Sequence, residues 1–179
     1  WIAEITVDPS KGLGAGDWSK RVELDAFAHH FADWSHDWLD VPAMLRGAKE
    51  IYTMDYDGAA PVPLTANQSI NLSPRWSPDA RSLAFTSYMR GYPYLYRLFA
   101  FERRPVQLLA GFLGINSSPA WSPDGRQVAL TLSKDGNPEI YVLTLASGAF
   151  RRLTTHPSID TEPAWSPTGR EIAFVSDRG

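Results

Sequence analysis

Three histidines and several aspartates are gathered in one short stretch of the sequence, and both residue types bind metal ions. Apolar side chains recur there with the 3.6-residue period of an α-helix, which predicts one helix over residues 19–39. His29, Asp33 and His36 would lie at positions i, i+4 and i+7 on one face, where imidazole and carboxylate groups can ligate a metal. No His-Glu-x-x-His pattern and no further ligand cluster accompanies them. The preferred interpretation is a polar helix face with local ion pairs, so no metal site is predicted, and His29, His30 and His36 receive no role.

A second pattern with chemical potential is a run of alternating glycines near the start of the sequence. Gly12, Gly14 and Gly16 could form a phosphate-binding loop, but no Lys-Ser/Thr pair follows, and the spacing differs from the dinucleotide fingerprint. The run is interpreted as a flexible loop. No Gly-x-Ser-x-Gly nucleophile elbow occurs in the sequence. The sequence therefore predicts no catalytic residue, no enzyme activity and no cofactor.

The amino-acid composition limits the kinds of partner that this chain could bind. The chain has 179 residues, a net charge of -3 and no cysteine. The absence of a basic block argues against nucleic acid as a partner. No apolar run reaches about 18 residues, so no membrane-spanning segment is predicted. The first residue is Trp1 and no leader precedes it, so we expect a processed product, a fragment or a sequence read from its ordered part.

A nine-residue motif, x-Pro-x-Trp-Ser-Pro-x-x-Arg, organises the rest of the chain. It occurs at residues 73–81, 118–126 and 162–170, and its tryptophans follow one another at intervals of 45 and 44 residues. A period in the mid-forties is typical of β-propeller blades. The conserved phase predicts a structural blade motif whose tryptophans pack in the core, with carbohydrate stacking as the alternative. The residues of this motif are Trp76, Pro78, Trp121, Pro123, Trp165 and Pro167.

One period contains four short β-prone runs. In the unit 81–123 these runs cover 82–87, 94–99, 105–109 and 119–121, with the Pro-Asp-Gly turn of the motif at the end. The fold class predicted is mainly β, a partial β-propeller of about three four-stranded blades. It follows a short strand and an amphipathic helix. The predicted domains are therefore 1–42 for the strand and helix and 43–179 for the incomplete propeller.

The blade motifs resemble those of the TolB family. Similar stretches occur in the same order through most of the chain, and the amphipathic helix at 27–33 is similar to the last helix of the family's N-terminal domain. The motif-bearing stretches are 49–58, 136–141, 151–154, 160–163 and 176–179. The resemblance implies a six-bladed propeller in the periplasm, without catalysis, behind a small α/β domain of which the strand and helix of residues 1–42 would be the remnant. It also implies binding of the peptidoglycan-associated lipoprotein Pal at one propeller face, and of TolA through an N-terminal segment.

The family's Pal-binding face carries over to the loops that lead into each motif strand. These loops also have the plainer interpretation of ordinary connecting turns, and the sequence does not decide between the two. The resemblance places partner binding at Ile70, Asn71, Ile115, Asn116, Ser117, Ser118, Ile159, Asp160 and Thr161.

Several departures from the family pattern keep a second function open. Most of the α/β domain, the TolA-binding segment and the later blades have no counterpart here, and Ala80 stands where the turn carries glycine. The strands of about three blades cannot close a ring alone, so the remaining strands lie in missing sequence, a partner covers the edges, or subunits assemble. The sequence predicts a TolB-like, non-catalytic interaction module of the bacterial cell envelope, which could associate peripherally with the membrane. The alternatives are a reduced accessory subunit of a larger membrane-protein complex and, less favoured, the propeller fragment of a prolyl-oligopeptidase-type enzyme.

Overall fold

A computed structural model describes residues 50–179 and the backbone of two short strands before them. The two strands are β1 (Ser35–His36) and β2 (Leu39–Asp40), which pair antiparallel. The helix predicted over residues 19–39 is therefore wrong at its C-terminal end, where the backbone is extended. Ser35 and His36 have modest helix propensity, so the apolar period overstated the helix at these two residues. The remainder of that helix, including His29, His30 and Asp33, lies outside the described residues, as does the domain boundary predicted at 42/43.

Two complete four-stranded antiparallel sheets form the centre of the described chain. A two-stranded sheet precedes them, made of β3 (Tyr52–Thr53) and β4 (Val62–Pro63). The first complete sheet contains β5 (Asn71–Trp76), β6 (Ser82–Ser87), β7 (Tyr94–Phe99) and β8 (Gln107–Ala110). The second contains β9 (Asn116–Trp121), β10 (Gln127–Leu132), β11 (Glu139–Thr144) and β12 (Ala149–Arg152). A final two-stranded sheet pairs β13 (Asp160–Trp165) with β14 (Ile172–Ser176).

Each complete sheet follows its strands in sequence order, from β5 to β8 and from β9 to β12. The fold class predicted from the sequence, a mainly β, partial propeller with the strands of about three blades, is confirmed. The predicted position of the tryptophan strand within a sheet was wrong. This strand is the first of its sheet and not the last of the preceding one. The reason is the turn that follows it. Ser122 N–H donates to Gln127 O over 2.9 Å, so this tight hairpin must pair β9 with β10.

The sheets pack face to face through their first three strands. Strand β9 packs against β5, β6 and β7, and β13 packs in the same way against β9, β10 and β11. The strands that open successive sheets are thus neighbours, as expected around a propeller axis. The main core between the two complete sheets contains Ala84, Leu95, Ala110, Trp121, Val128, Leu130, Leu132, Tyr141 and Leu143. A second, smaller core joins β3 to the first complete sheet through Ile51, Phe85 and Tyr96.

Each opening strand carries a bulge directly before its proline. Ser73, Ser118 and Glu162 adopt φ values of 53°, 52° and 52°. The ladder with the following strand shifts register at the same three places. A left-handed conformation is unfavourable for residues with a side chain, and proline disfavours it further at the preceding position. Because the bulge occurs in all three opening strands, it is a regular feature of the repeat.

The turn after each tryptophan strand is held by a serine and the residue two positions later. Ser122 Oγ donates to Asp124 Oδ1 over 2.6 Å, and Asp124 Oδ1 also accepts the Arg126 N–H over 3.0 Å. Ser77 and Asp79 form the same arrangement. The hydrogen bond from the serine and the one from the backbone hold the pKa of both aspartates below the usual range. Because only the carboxylate form accepts both bonds, these turns favour the folded state above the acid range and lose that contribution as pH falls through the folded pKa.

A pair of opposite substitutions tests the strain in these turns. Ala80 occupies the turn position with φ 55°, where Gly125 of the next repeat has φ 68°. Ala80→Gly is expected to raise the free energy of unfolding by about 0.5 kcal/mol, because relief of the left-handed conformation outweighs the greater freedom of glycine in the unfolded chain. Gly125→Ala is expected to lower it by about 1 kcal/mol. A Cβ on Gly125 would lie 3.7 Å from Pro78 Cδ, an ordinary contact, so backbone strain alone sets the cost. Urea denaturation of both variants measures the two changes, and equal signs would contradict the argument.

Candidate interaction face

The three loops singled out from the sequence lie at one end of the fold. Because β5, β9 and β13 are neighbouring opening strands, their first residues come together there. Ile70, Ile115 and Ile159 precede the three strands, and each is half-buried. Each isoleucine carbonyl accepts a backbone hydrogen bond from the residue after the second strand of its sheet. The donors are Tyr88 at 3.0 Å, Ser133 at 3.2 Å and Asp177 at 3.4 Å.

Two of the three isoleucines are held a second time through their own N–H groups. Ile115 N–H donates to Ser133 Oγ over 2.8 Å, and Ile159 N–H donates to Asp177 Oδ1 over 2.7 Å. The same side-chain position after the second strand therefore supplies an acceptor in two repeats. Neither loop needs a partner to fix its backbone, so the isoleucine side chains are presented from a rigid frame.

Asn71 and Asn116 hold the loops together from inside. Both are buried. Asn116 Nδ2 donates to Phe112 O over 2.7 Å, and its Oδ1 accepts the Phe112 N–H over 3.0 Å. Asn71 Nδ2 donates to Ser69 O over 2.9 Å. These two members of the predicted binding set are thus positioned to shape the loops, while their side chains are turned away from solvent.

Asp160 replaces asparagine in the third loop and is also fully buried. Its Oδ2 accepts a hydrogen bond from Arg178 Nη2, and the two groups form an ion pair. Burial alone would raise the pKa of Asp160, but the hydrogen bonds led by that from Arg178 outweigh it and hold the pKa below the usual range. An ion pair therefore holds the loop before β13, whereas the side-chain amides of Asn71 and Asn116 hold the loops before β5 and β9.

The remaining predicted residues run from the loops into the strands. Ser117 pairs with Thr131 and Thr161 pairs with Val175 in the ladders, while Ser118 forms the bulge. All three are half-buried. The structure therefore brings the nine predicted residues to one region, but divides them into half-buried isoleucines, buried anchors and strand positions.

Sequence reasoning missed other residues at this end of the fold. Leu113 lies in the loop before β9 and is exposed, and Tyr88 follows β6. Lys134 Nζ lies 5.6 Å from the Phe112 ring and 5.1 Å from the Tyr141 ring, and pairs with Asp135 over 2.6 Å. Burial and the hydrogen bond to Asp135 raise the pKa of Tyr141 to about 12. The signal in the sequence is the position directly after each second strand, which Tyr88, Ser133 and Asp177 occupy.

The motif tryptophans occupy different environments according to what precedes them. Trp121 is 8% exposed, and its Nε1 donates to Arg75 O of the preceding sheet over 3.0 Å. The Arg97 guanidinium lies 5.3 Å from its ring. Trp76 is 43% exposed and stacks on Phe101 with centroids 6.3 Å apart, while Trp165 is half-buried. The contacts of Trp121 are those of a residue that packs one blade on the next.

The motif prolines lie along the same seam between repeats. Pro78 Cδ lies 3.7 Å from where a Cβ on Gly125 would be, and Pro123 Cδ lies 3.6 Å from the same point on Gly169. Each turn thus contacts the next. Pro167, in the last repeat, is exposed.

Two absences hold for the part of the chain that the structure describes. Residues 50–179 and the two short strands before them contain no group of histidine and acidic side chains able to hold a metal ion. Within the same residues no helix has the length and apolar character needed to cross a membrane.

Comparison with known proteins identifies the repeat. A family model described as the TolB beta propeller domain matches residues 42–179. The Tol-Pal system protein TolB of Desulfosudis oleivorans is 52% identical over 58 residues, which are 32% of this chain and 13% of that protein. The crystal structure of TolB from Acinetobacter baumannii aligns with a TM-score of 0.68 and 35% identity, covering 73% of this chain and 32% of that one. The tricorn protease aligns with a TM-score of 0.52 at 14% identity, covering 69% of this chain and 12% of that protein, which shows a shared fold only.

The matches extend over a minor part of each relative, so they characterise the propeller repeats. The motif strands, their bulges and the turns that close them lie within the matched residues 42–179. The chain belongs to the TolB β-propeller domain family.

Proposed function

We propose that this chain is a non-catalytic protein-interaction module of the bacterial cell envelope, working in the periplasm, which binds a Pal-like lipoprotein through the loops before β5, β9 and β13. Membership of the TolB family and likeness to a Tol-Pal system protein support the setting. The observation that carries the binding site is the trio of loops that present Ile70, Ile115 and Ile159 at one end of the fold.

Rigid loops favour binding because little conformational entropy is lost when a partner docks. The hydrogen bonds of Asn116 and Ser133 fix the loop around Ile115 before any partner arrives. Exposed Leu113 adds apolar surface beside it. A small apolar centre surrounded by polar loop backbone is the usual arrangement of an interface hot spot.

The test measures binding of a soluble Pal domain by titration calorimetry. Ile115→Asp is expected to weaken binding at least tenfold, because it places a charge at the centre of the apolar contact. Phe101→Asp is the matched control. Phe101 is also an exposed apolar residue, but it lies at the opposite end of the fold, where the neighbouring Ala100 N–H donates to Arg81 O over 3.0 Å. Equal affinities for Ile115→Asp and the unmodified chain, with circular dichroism unchanged, would overturn the proposed face.

A second candidate function is that of an accessory subunit in a larger membrane-protein complex. It is favoured by the stacked pair Trp76 and Phe101, whose exposed rings lie away from the isoleucine loops. Affinity purification from gently solubilised envelopes distinguishes the two. If Phe101→Asp removes co-purifying subunits and Ile115→Asp does not, the accessory role is supported. The reverse pattern supports the Pal-like partner.

A further inference from the structure

A cleft of about 320 Å³ lies between the two complete sheets, at the end of the fold opposite the isoleucine loops. The turn after β5 forms one wall and the turn after β9 forms the other, so both walls belong to complete sheets. The side chains around the cleft include Pro78, Asp79, Arg97, Trp121, Pro123 and Asp124. A volume of this size is at the lower end of the range for small-molecule sites, so the cleft can hold a ligand of a few non-hydrogen atoms.

Arg97 in this cleft is a departure from the repeat. It lies on β7, and the corresponding residue of the next sheet is Val142. The pairings of Ala84 with Arg97 and of Ala129 with Val142 establish this equivalence. Val142 is buried and packs as an ordinary core residue. A blade can therefore be built with an apolar side chain at this position, and the arginine requires a different explanation.

The Arg97 guanidinium is held in place but keeps unused donors. Its Nε donates to Ser82 Oγ over 3.0 Å, and its central carbon lies 4.5 Å from the Phe99 ring and 5.3 Å from the Trp121 ring. Among the residues that the structure describes, no hydrogen bond or ion pair involves the two terminal nitrogens, Nη1 and Nη2. Burial lowers the pKa of Arg97, and the charge of Asp79 acts in the opposite direction. The planar fork of a guanidinium matches the two oxygens of a carboxylate, so the unused donors favour an anionic group.

The rim of the cleft has the opposite charge. Asp79 and Asp124 are exposed there, one on each turn. The turn hydrogen bonds use Oδ1 of both residues, which leaves each Oδ2 available to a ligand. These bonds hold the pKa of both carboxyl groups below the usual range, so both are charged at neutral pH. Two rim carboxylates repel a simple anion, and Arg97 repels a simple cation, so the cleft is suited to a molecule that carries both charges.

We propose that this cleft binds a small zwitterion of the amino-acid class. Its carboxylate accepts hydrogen bonds from Nη1 and Nη2 of Arg97, and its ammonium group lies between Asp79 and Asp124. Pro78 and Pro123 supply apolar walls for the carbon chain that joins the two charges. The site lies at the other end of the strands from Ile115 and its neighbouring loops, so it is independent of the proposed binding of a lipoprotein.

A nitrogen-15 NMR titration tests this proposal. The Arg97 Nε–H and Trp121 Nε1–H signals are the reporters, because both residues line the cleft. The probes are glycine, β-alanine and γ-aminobutyrate, in which each added carbon increases the distance between the two charges. Acetate and methylamine are the control probes, each with one charge. At low ionic strength, at least one amino acid is expected to bind with a Kd of about 1 mM, about tenfold tighter than either control probe.

Variants of the cleft assign the two ends of the ligand. Arg97→Met keeps an unbranched side chain between the sheets but removes the carboxylate partner, so the shift of the indole signal should disappear. Arg126→Met is the matched control. Arg126 is exposed on the same turn as Asp124 but does not line the cleft, and this variant should bind like the unmodified chain.

A second variant tests the rim without altering the arginine. Asp79→Asn combined with Asp124→Asn keeps the Oδ1 acceptor of both turns but removes their charge. It should weaken amino-acid binding about tenfold and strengthen acetate binding, because the repulsion of a simple anion is removed. This variant remains informative if Arg97→Met fails to fold.

Three results would each overturn the proposal. The first is that no amino acid shifts the reporter signals at concentrations far above the expected Kd. The second is that acetate binds the unmodified chain as tightly as the amino acids, because the rim carboxylates would then contribute nothing. The third is that the shifts persist in folded Arg97→Met, or that the double asparagine variant binds the amino acids unchanged, because the ligand would then lie elsewhere.

Discussion

Trp121→Ala is expected to lower the free energy of unfolding by about 4 kcal/mol, near the upper end of the range for large core side chains. Trp121 is almost fully buried and belongs to the core between the two complete sheets, with Leu95 and Leu130. Its indole N–H also bonds to Arg75 O of the neighbouring sheet, 46 residues away. Truncation would therefore open a cavity and remove the indole donor of the Arg75 carbonyl, and the adjacent sheets would lose their central contact.

The repeat supplies an internal control for this substitution. Trp76 holds the same motif position, but 43% of its surface is exposed. Trp76→Ala is expected to cost only about 1 kcal/mol, because it removes little buried area. Urea denaturation followed by circular dichroism measures both, and equal losses at positions 76 and 121 would show that the tryptophans do not stabilise the fold by packing between sheets.

A milder substitution separates the hydrogen bond of Trp121 from its packing. Trp121→Phe keeps an aromatic ring at the site but removes the donor to Arg75 O. The expected loss is about 2 kcal/mol, combining an unsatisfied carbonyl with a smaller ring. If Trp121→Phe lowered the free energy of unfolding as much as Trp121→Ala does, the aromatic ring kept at position 121 would contribute nothing to stability.

The sequence predicted the propeller repeat because its signals are local and recur in phase. Trp121 and the turn formed by Ser122 and Asp124 are visible as residue types at fixed spacing. The phase of the sheets was not predicted correctly, since a turn can equally end one unit or join two strands. Only the hydrogen bond from Ser122 N–H to Gln127 O shows that it joins β9 to β10.

The sequence grouped the nine loop residues but did not separate their structural roles. Ile115 and Asn116 are adjacent in sequence, and nothing in their types shows that one side chain is partly exposed and the other buried. The role of Asn116 depends on loop carbonyls that curl around it. The role of Asp160 depends on Arg178, 18 residues later. Such contacts are set by tertiary structure, which the spacing of residue types does not encode.

Glu139→Ala is expected to lower the free energy of unfolding by about 3 kcal/mol, the second-largest effect. Glu139 begins β11 and its side chain is 1% exposed. Its Oε1 accepts a hydrogen bond from Arg152 Nη2 over 2.7 Å, and its Oε2 accepts one from Thr154 Oγ1. Thr154 Oγ1 in turn accepts the Ile140 N–H over 2.9 Å. Removing one member of a buried ion pair commonly costs about 3–5 kcal/mol, and the lower end applies because Arg152 is partly solvated.

The two-stranded sheet of β3 and β4 contains the same clamp in a more open setting. In this clamp a glutamate carboxylate accepts a hydrogen bond from a threonine hydroxyl, which in turn accepts the N–H of the residue after the glutamate. Glu50 Oε2 accepts a hydrogen bond from Thr65 Oγ1 over 2.5 Å, and Thr65 Oγ1 accepts the Ile51 N–H over 2.9 Å. Glu50 is half-buried, and its Oε1 accepts the Gln68 N–H over 2.7 Å without an arginine partner. Glu50→Ala is therefore expected to cost about 1 kcal/mol. The contrast between positions 50 and 139 measures what burial and the ion pair add to the hydrogen bonds through threonine that the two sites share.

A conservative variant decides whether charge or hydrogen bonding holds the clamp. Glu139→Gln keeps the shape and one acceptor oxygen but removes the charge that Arg152 neutralises, so we expect a loss of about 2 kcal/mol. In the first complete sheet Tyr94 stands at the position of Glu139, as the pairings of Ser87 with Tyr94 and Leu132 with Glu139 show. A blade can therefore form without the clamp. Glu139→Ala is expected to give a less stable blade that still folds at low temperature. If Glu139→Gln were as stable as the unmodified chain, the ion pair with Arg152 would contribute nothing, and the clamp would be held by Thr154 alone.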